Sequence, residues 1–230
     1  MHKEKKRQKK VFKVVVLGDS SVGKTSLINR YVYEKFSGRY MATIGSDFHA
    51  KDIKIFDPVD REGRKIDVCL QIWDTAGQER FQSLGVAYYR GSDACLLVFD
   101  LTNEVSFQNL VSWMNEFLIQ AQPQDVENFP IVVIGNKADL AKTDRKVTTR
   151  QVTDWCTKNG GLPYFECSAK ENLDVESAFL RVADAVQARM CGVEDDDLFS
   201  PASVDPKRIH LQRKSVAAKQ CSMGDLRCGS

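Results

Sequence analysis

The stretch Gly18-Asp19-Ser20-Ser21-Val22-Gly23-Lys24-Thr25 constrains this chain more than any other. It fits Gly-x-x-x-x-Gly-Lys-[Ser/Thr] and lies between an apolar run, Phe12-Lys13-Val14-Val15-Val16-Leu17, and a segment of helical spacing. A strand that turns through glycines into a helix aims several backbone N–H groups, and the helix dipole, at one point. A phosphate chain needs that arrangement. The glycines permit backbone conformations and a close approach that larger residues deny. In such a loop Lys24 reaches the β- and γ-phosphates and the Thr25 hydroxyl ligates Mg²⁺. Ser20, Ser21, Val22, Gly23 and Ser26 complete the cradle. The loop calls for a nucleoside triphosphate and does not choose the base.

Six strand-like runs follow one another: FKVVVLG, DFHAKDIKIF, IDVCLQIW, ACLLVFD, IVVIGNK and LPYFEC. The first, fourth and fifth are continuously apolar, as strands buried on both faces are. The second and third alternate, and the turn-rich stretch 57–65 between them reads as a hairpin connection. Phe107, Leu110, Met114, Phe117 and Leu118 recur at helical spacing, as do Val175, Phe179, Val182 and Val186. Strands alternating with helices predict a three-layer α/β fold of the P-loop NTPase kind. Its sheet is six-stranded and mostly parallel, with one antiparallel edge strand. The expected division is a basic arm over 1–11, one domain over 12–190, and an aperiodic, disordered tail over 191–230.

The net charge of +2 is unevenly spread, since residues 1–13 hold seven Lys/Arg against one Glu. The last forty residues balance, so the domain between carries a negative excess, which speaks against nucleic acid as a partner. The basic arm reads as a solvated segment. No apolar run reaches the roughly 18 residues of a membrane-spanning helix, and the N-terminus lacks the apolar core of a secretory signal. The cysteines show no metal-ligand spacing. Cys69 and Cys95 read as reduced core residues of a cytoplasmic protein.

Three further motifs choose the chemistry. Asn136-Lys137-Ala138-Asp139 closes the buried run Ile131–Gly135, at the strand end where open α/β sheets bind ligands. A carboxylate there accepts two N–H bonds from the guanine edge, which adenine does not offer, so Asp139 disfavours ATP. Asn136 would brace the neighbouring loops and Lys137 lie along the base. Asp74-Thr75-Ala76-Gly77-Gln78 ends another strand run. There Asp74 can hold Mg²⁺ through water, the Gly77 N–H can bond a γ-phosphate, and Gln78 can orient the attacking water. Thr43 is the candidate second hydroxyl on Mg²⁺. Ser168-Ala169-Lys170, after the last strand, can reach the guanine O6 through backbone N–H. Each of these short motifs is weak alone, and their conjunction carries the reading.

In this order the motifs resemble the Ras superfamily of small GTPases over roughly residues 12–190. Ile44-Gly45-Ser46-Asp47-Phe48, Trp73 through Phe81, and Tyr88-Tyr89-Arg90-Gly91 resemble the Rab family of membrane-traffic GTPases. Phe81 through Ala87, Glu116 through Ala121 and Glu127-Asn128-Phe129-Pro130 resemble its late-endosomal and lysosomal branch, subfamily seven. The resemblance implies a monomeric GTP/GDP switch with Mg²⁺ that hydrolyses GTP slowly. It implies an exchange factor, a GTPase-activating protein, effectors and a chaperone for the prenylated form. It also implies that Phe36, Ser37 and Tyr40 contact the nucleotide, Phe36 by packing on guanine. Phe48, Trp73 and Tyr88 become an aromatic triad read by effectors, although core packing accounts for Trp73 equally well.

Two departures fall beside the expected effector face: the 57–65 hairpin is long for that branch, and His49 replaces a usual apolar residue. The tail departs further. That branch ends in Cys-x-Cys, whereas this chain ends Cys228-Gly229-Ser230. Lipidation of Cys228 by a single prenyl chain and no lipidation both stay open. With a lipid, the cytosolic face of late endosomes and lysosomes is the expected location. Two rival readings are a non-cycling binding module on the same fold and a nucleotide kinase. The kinase would need an acceptor site and a lid for which no segment is spare.

Overall fold

The computed structural model describes residues 9–39, 41–43, 45–60, 63–75 and 88–192. Six strands, β1 (Lys10–Leu17), β2 (Ser46–Phe56), β3 (Lys65–Thr75), β4 (Ala94–Asp100), β5 (Ile131–Asn136) and β6 (Tyr164–Glu166), form one sheet in the order β2-β3-β1-β4-β5-β6. Every neighbouring pair is parallel except β2 with β3, which run antiparallel from Ser46↔Thr75 to Phe56↔Lys65. This is the expected six-stranded sheet with one antiparallel edge strand. At the hairpin end, Asp57 N–H donates to the Arg64 carbonyl at 2.9 Å.

Among the described residues, six helical segments accompany the sheet: α1 (Lys24–Tyr33), α2 (Glu104–Gln108), α3 (Leu110–Ala121), α4 (Ala141–Asp144), α5 (Thr149–Lys158) and α6 (Val175–Cys191). Successive residues of a strand face opposite ways, so β1 feeds two cores. Phe12, Val14 and Val16 pack with Leu27 and Ile28 of α1 and with Phe179 and Val182 of α6. Val15 and Leu17 pack with Trp113 and Phe117 of α3 and Val152 of α5. Helices on both sides leave β4 and β5 buried at every position, which is why both sequences run apolar without alternation.

Some elements differ from the sequence reading. Strand β1 starts at Lys10 rather than Phe12, because Lys10 and Val11 pair with Val68 and Cys69. Lys9, expected in a solvated arm, forms an ion pair with Asp52. The helical spacing that begins at Phe107 is divided at Asn109 into α2 and α3. Helix α5 adds to the expected elements and opens on a capping box: Thr148 accepts from Gln151 N–H while the Gln151 side chain takes the Thr148 N–H. Cys95 is buried, whereas Cys69 is only half-buried.

The far end of the sheet is tied by one carboxylate. Glu166 of β6 accepts from both Arg145 terminal nitrogens, at 3.0 and 2.5 Å, from Thr149 Oγ1 at 2.8 Å and from Tyr164 Oη at 3.0 Å. Burial opposes its charge, but those hydrogen bonds outweigh burial and hold its pKa below the usual glutamate range. A folded pKa below the unfolded one gives stability that is full above the ordinary glutamate pKa and is lost as pH falls through the lowered value. Glu166→Gln should therefore be less stable near neutral pH and show a flatter acid-side decline. Urea midpoints measured across pH 3–7 check both.

Candidate functional site

Strands β1, β3, β4, β5 and β6 end along one edge of the sheet, and the loops that leave them carry the candidate residues. A parallel sheet concentrates ligand sites at that carboxyl edge. The loops enclose a groove of about 840 Å³, lined among others by Ser20, Lys24, Thr25, Phe36, Asn136 and Asp139. Ser21, Gly23, Ser26, Ser37, Thr43, Asp74, Lys137, Ala169 and Lys170 line it too.

At one end the phosphate loop turns on two glycines. Gly18 has φ 142° and lies so close to β4 that a Cβ would fall 2.0 Å from the Val98 carbonyl oxygen. Gly23 has φ 96°, and a Cβ there would fall 2.3 Å from Asn136 Nδ2. Gly23 also begins α1, where no side chain caps the first turn. Lys24 is 5% exposed, and its Nζ donates to the Gly18 and Asp19 carbonyls at 2.8 and 2.9 Å. Burial pushes its pKa down to about 8, with Asp74 and Asp19 acting in the other direction. An anion brought to this lysine would favour its charged form.

Three oxygens from separate elements meet beside it. Thr25 Oγ1 lies 2.5 Å from Asp74 Oδ2 and 2.8 Å from Thr43 Oγ1, and Thr43 Oγ1 lies 3.5 Å from the same Asp74 oxygen. The other Asp74 oxygen is buried with no hydrogen-bond partner among the described residues. Burial raises the Asp74 pKa, against the Thr25 hydrogen bond and the charge of Lys24. Two hydroxyls and a carboxylate with an unused lone pair form an all-oxygen set of the kind that suits Mg²⁺ shared with phosphates.

The other end of the groove is built on β5. Asn136 is 2% exposed; its Nδ2 donates to the Val22 carbonyl at 2.8 Å and its Oδ1 accepts from Ala169 N–H at 3.4 Å. Asp139 Oδ1 accepts from Ser168 Oγ at 2.7 Å, and its other oxygen faces Lys170 Nζ at 3.8 Å. Ser168 is buried and does not line the groove; its hydroxyl orients the carboxylate that does. Val22 is likewise a core side chain, and its carbonyl serves the site. Phe36 is partly exposed at the groove wall.

Phe48, Trp73 and Tyr88 stand away from the groove. The Trp73 ring lies 5.3 Å from each of the other two, centroid to centroid, and Phe48 is exposed. Trp73 is half-buried beside them. His49 is inward-facing and buried, with Nδ1 3.1 Å from Tyr33 Oη and Nε2 3.5 Å from Asp47 Oδ2. Tyr40, Gly77, Gln78 and Cys228 lie outside the described residues.

Several residues that hold the site escaped the sequence reading. Arg30 of α1 clamps the last loop, donating to the Ala169 carbonyl at 2.8 Å and the Lys170 carbonyl at 3.1 Å. Asp19 accepts from Trp113 Nε1 at 2.7 Å and from Asn109 Nδ2 at 2.8 Å, which ties the phosphate loop to α3. No local pattern marks contacts so distant along the chain. Asp100 is different: it ends a buried strand at the ligand edge, and that position was a readable signal.

A family model described as the Ras family matches residues 13–188. This chain belongs to the Ras family. Among its relatives, "GTP-binding protein yptV5" of Volvox carteri is 48% identical over 90% of this chain and 96% of its own length. "Ypt/Rab-type GTPase ypt7" of Pyricularia oryzae is 50% identical, covering 89% and 94%. "Ras-related protein Rab7" of Drosophila melanogaster is 55% identical, covering 77% and 81%. Within the Ras family the chain is thus a Rab-type small GTPase, which binds GTP and GDP and hydrolyses GTP. For this GTPase the phosphate loop leaves little latitude. Gly18→Ala should destabilise the fold by about 3 kcal/mol or more, because backbone blocks the added methyl. Gly38→Ala, which meets no atom within 4 Å, should stay close to wild type in the same urea titration.

Proposed function

We propose that this Rab-type GTPase is a nucleotide-gated switch in vesicle traffic, acting between late endosomes and lysosomes. One observation carries the switch: a single groove holds Lys24, Thr25, Thr43 and Asp74 at one end and Asn136, Lys137 and Asp139 at the other. That spacing suits a guanine nucleotide lying along the strand ends, its phosphates on the loop and its base against Asp139.

In this reading Thr25, Thr43 and Asp74 hold Mg²⁺, Asp74 through water. When bound, the ion neutralises charge on the β- and γ-phosphates. Ser20, Ser21, Val22, Gly23 and Ser26 contribute the cradle, and Lys24 adds a positive charge that the phosphates would stabilise. Phe36, Ser37 and Tyr40 close over the nucleoside. Ser168, Ala169 and Lys170 support guanine recognition. Gln78 orients a water for attack on the γ-phosphorus; the bond to the β–γ bridging oxygen breaks, and GDP and phosphate leave. No arginine in the phosphate loop or the Asp74–Gln78 motif reads as a finger in cis. Unassisted turnover should be roughly 10⁻³ to 10⁻⁴ per second, until an activating protein supplies the missing charge.

With GTP, Thr43 and the Gly77 N–H hold two loops, about 37–47 and 75–90, and hydrolysis releases both. Phe48, Trp73 and Tyr88 border those loops, which makes them the surface that effectors read. An exchange factor, an activating protein and effectors are the partners of such a cycle. The chain acts as a monomer, with one GTPase domain that opens on β1 at Lys10 and runs to about 190, between a basic arm ahead of that strand and a tail, 191–230. One prenyl chain on Cys228, with the basic residues of the tail, would give weak and reversible membrane attachment and a need for a prenyl-binding chaperone. The late-endosomal location rests on the resemblance to subfamily seven.

Gln78→Leu should bind GTP normally while single-turnover phosphate release with an activating protein slows by about 100-fold or more. An unchanged rate would remove Gln78 from the mechanism. Thr25→Asn should favour GDP or nucleotide-free protein, and a GTP affinity in a Mg²⁺ titration equal to that of the unaltered chain would remove Thr25 as a ligand.

A further inference from the structure

We propose that Asp100 is a positioning residue for the nucleotide base, acting through Lys137. The proposal rests on the reading that the Asn136–Asp139 end of the groove receives a purine. Asp100 is the last residue of β4 and is paired with Asn136 at the end of β5, so it stands at the root of the loop that carries Lys137.

The carboxylate is fixed before it meets the lysine. Asp100 is 6% exposed, and its Oδ1 accepts both from Thr102 N–H, at 2.8 Å, and from Thr102 Oγ1, at 2.7 Å. Its own N–H donates to Ser106 Oγ at 3.0 Å, which anchors the main chain to α2. Only Oδ2 remains to receive Lys137, whose Nζ lies 2.7 Å away. Each oxygen therefore has its own partner, and the lysine is held by a carboxylate that cannot swing to follow it.

The other end of Lys137 is fixed as well. Its φ of 64° lies in the left-handed region, which a residue with a β-carbon adopts only where its surroundings impose it. The imposing bonds are Ala138 N–H to the Cys167 carbonyl at 3.0 Å and Leu140 N–H to the Lys137 carbonyl at 2.9 Å. The four-carbon stem is thus anchored at both ends while lining the groove. A free lysine stem loses rotamer freedom when a ligand packs against it, and that cost falls on affinity. Here Asp100 orders the stem in advance, so it presents a preformed apolar wall to the face of a planar ring. A surface ion pair would do little of this, but one oxygen of this pair comes from a carboxylate with only 9% side-chain exposure.

A wall that packs on a ring does not read its substituents. Asp100 should accordingly affect guanine and hypoxanthine nucleotides alike, whereas Asp139 should separate them, because only guanine carries the 2-amino group. The full chain is loaded with fluorescent GDP or IDP in Mg²⁺, and release is timed for Asp100→Asn, Lys137→Gln, the double variant and Asp139→Asn. Asp100→Asn should speed the release of both nucleotides by about five- to tenfold, and the double variant should be no faster than Lys137→Gln alone. Thr102→Val, which loosens the carboxylate without removing it, should give a smaller acceleration that also vanishes on Lys137→Gln; it carries the test if Asp100→Asn does not fold. Wild-type release rates from Asp100→Asn, or a full effect persisting without Lys137, would overturn the proposal. An unchanged GDP-to-IDP ratio in Asp139→Asn would instead overturn the base-site reading beneath it.

Discussion

The site depends on one buried amide. Asn136 joins three loops that share no local sequence: its nitrogen reaches the Val22 carbonyl in the phosphate loop, its oxygen takes the Ala169 N–H, and its backbone ends β5. A polar side chain at 2% exposure is tolerable only with its partners present, so loops that drift leave an orphaned amide in a dry setting. The requirement for glycine at position 23 follows from the same contact, since the amide nitrogen occupies the space a side chain would need. The Val22 loop, the Ala169 loop and the end of β5 are thereby tied together.

Around that amide the remaining supports divide the work. Arg30 fixes the Ala169–Lys170 turn to α1, and Asp19 fixes the phosphate loop to α3. Ser168 orients Asp139 from behind, so a carboxylate that lines the groove is set by a residue that does not. The groove is preorganised chiefly by side chains supporting other side chains, which is what a tight and selective site requires.

Most of the architecture was legible in the amino acids because it rests on local signals. Unbroken apolar runs marked β4 and β5, alternation marked the antiparallel pair, and the glycine spacing marked the phosphate loop. What escaped had weak or distant causes. Helix α5 turns only Val152, Trp155 and Cys156 inward, a short stripe at helical spacing in an otherwise polar segment, so its signal is spacing plus capping box rather than a long apolar run. Lys10 looked like part of a charged arm, since strand pairing with Val68 leaves no trace in its own identity. Arg30 and Trp113 carry nothing in their sequence surroundings that points to partners so far along the chain. The residues of the nucleotide edge were readable as motifs, whereas the residues that hold them were not.

The antiparallel pairing of β2 with β3 has a mechanical corollary. Trp73 and Asp74 are consecutive on β3 and pair with Phe48 and Asp47, so a two-residue periodicity sends an aromatic pair to one side of the sheet and an acidic pair to the other. Asp74, which lines the groove, and Trp73, which packs with Phe48 outside it, share a peptide bond. Neither can be displaced along the ladder without carrying its neighbour, and a slip of one residue would exchange their faces. A surface with no atom in the groove is in this way geared to the groove by the pleat alone.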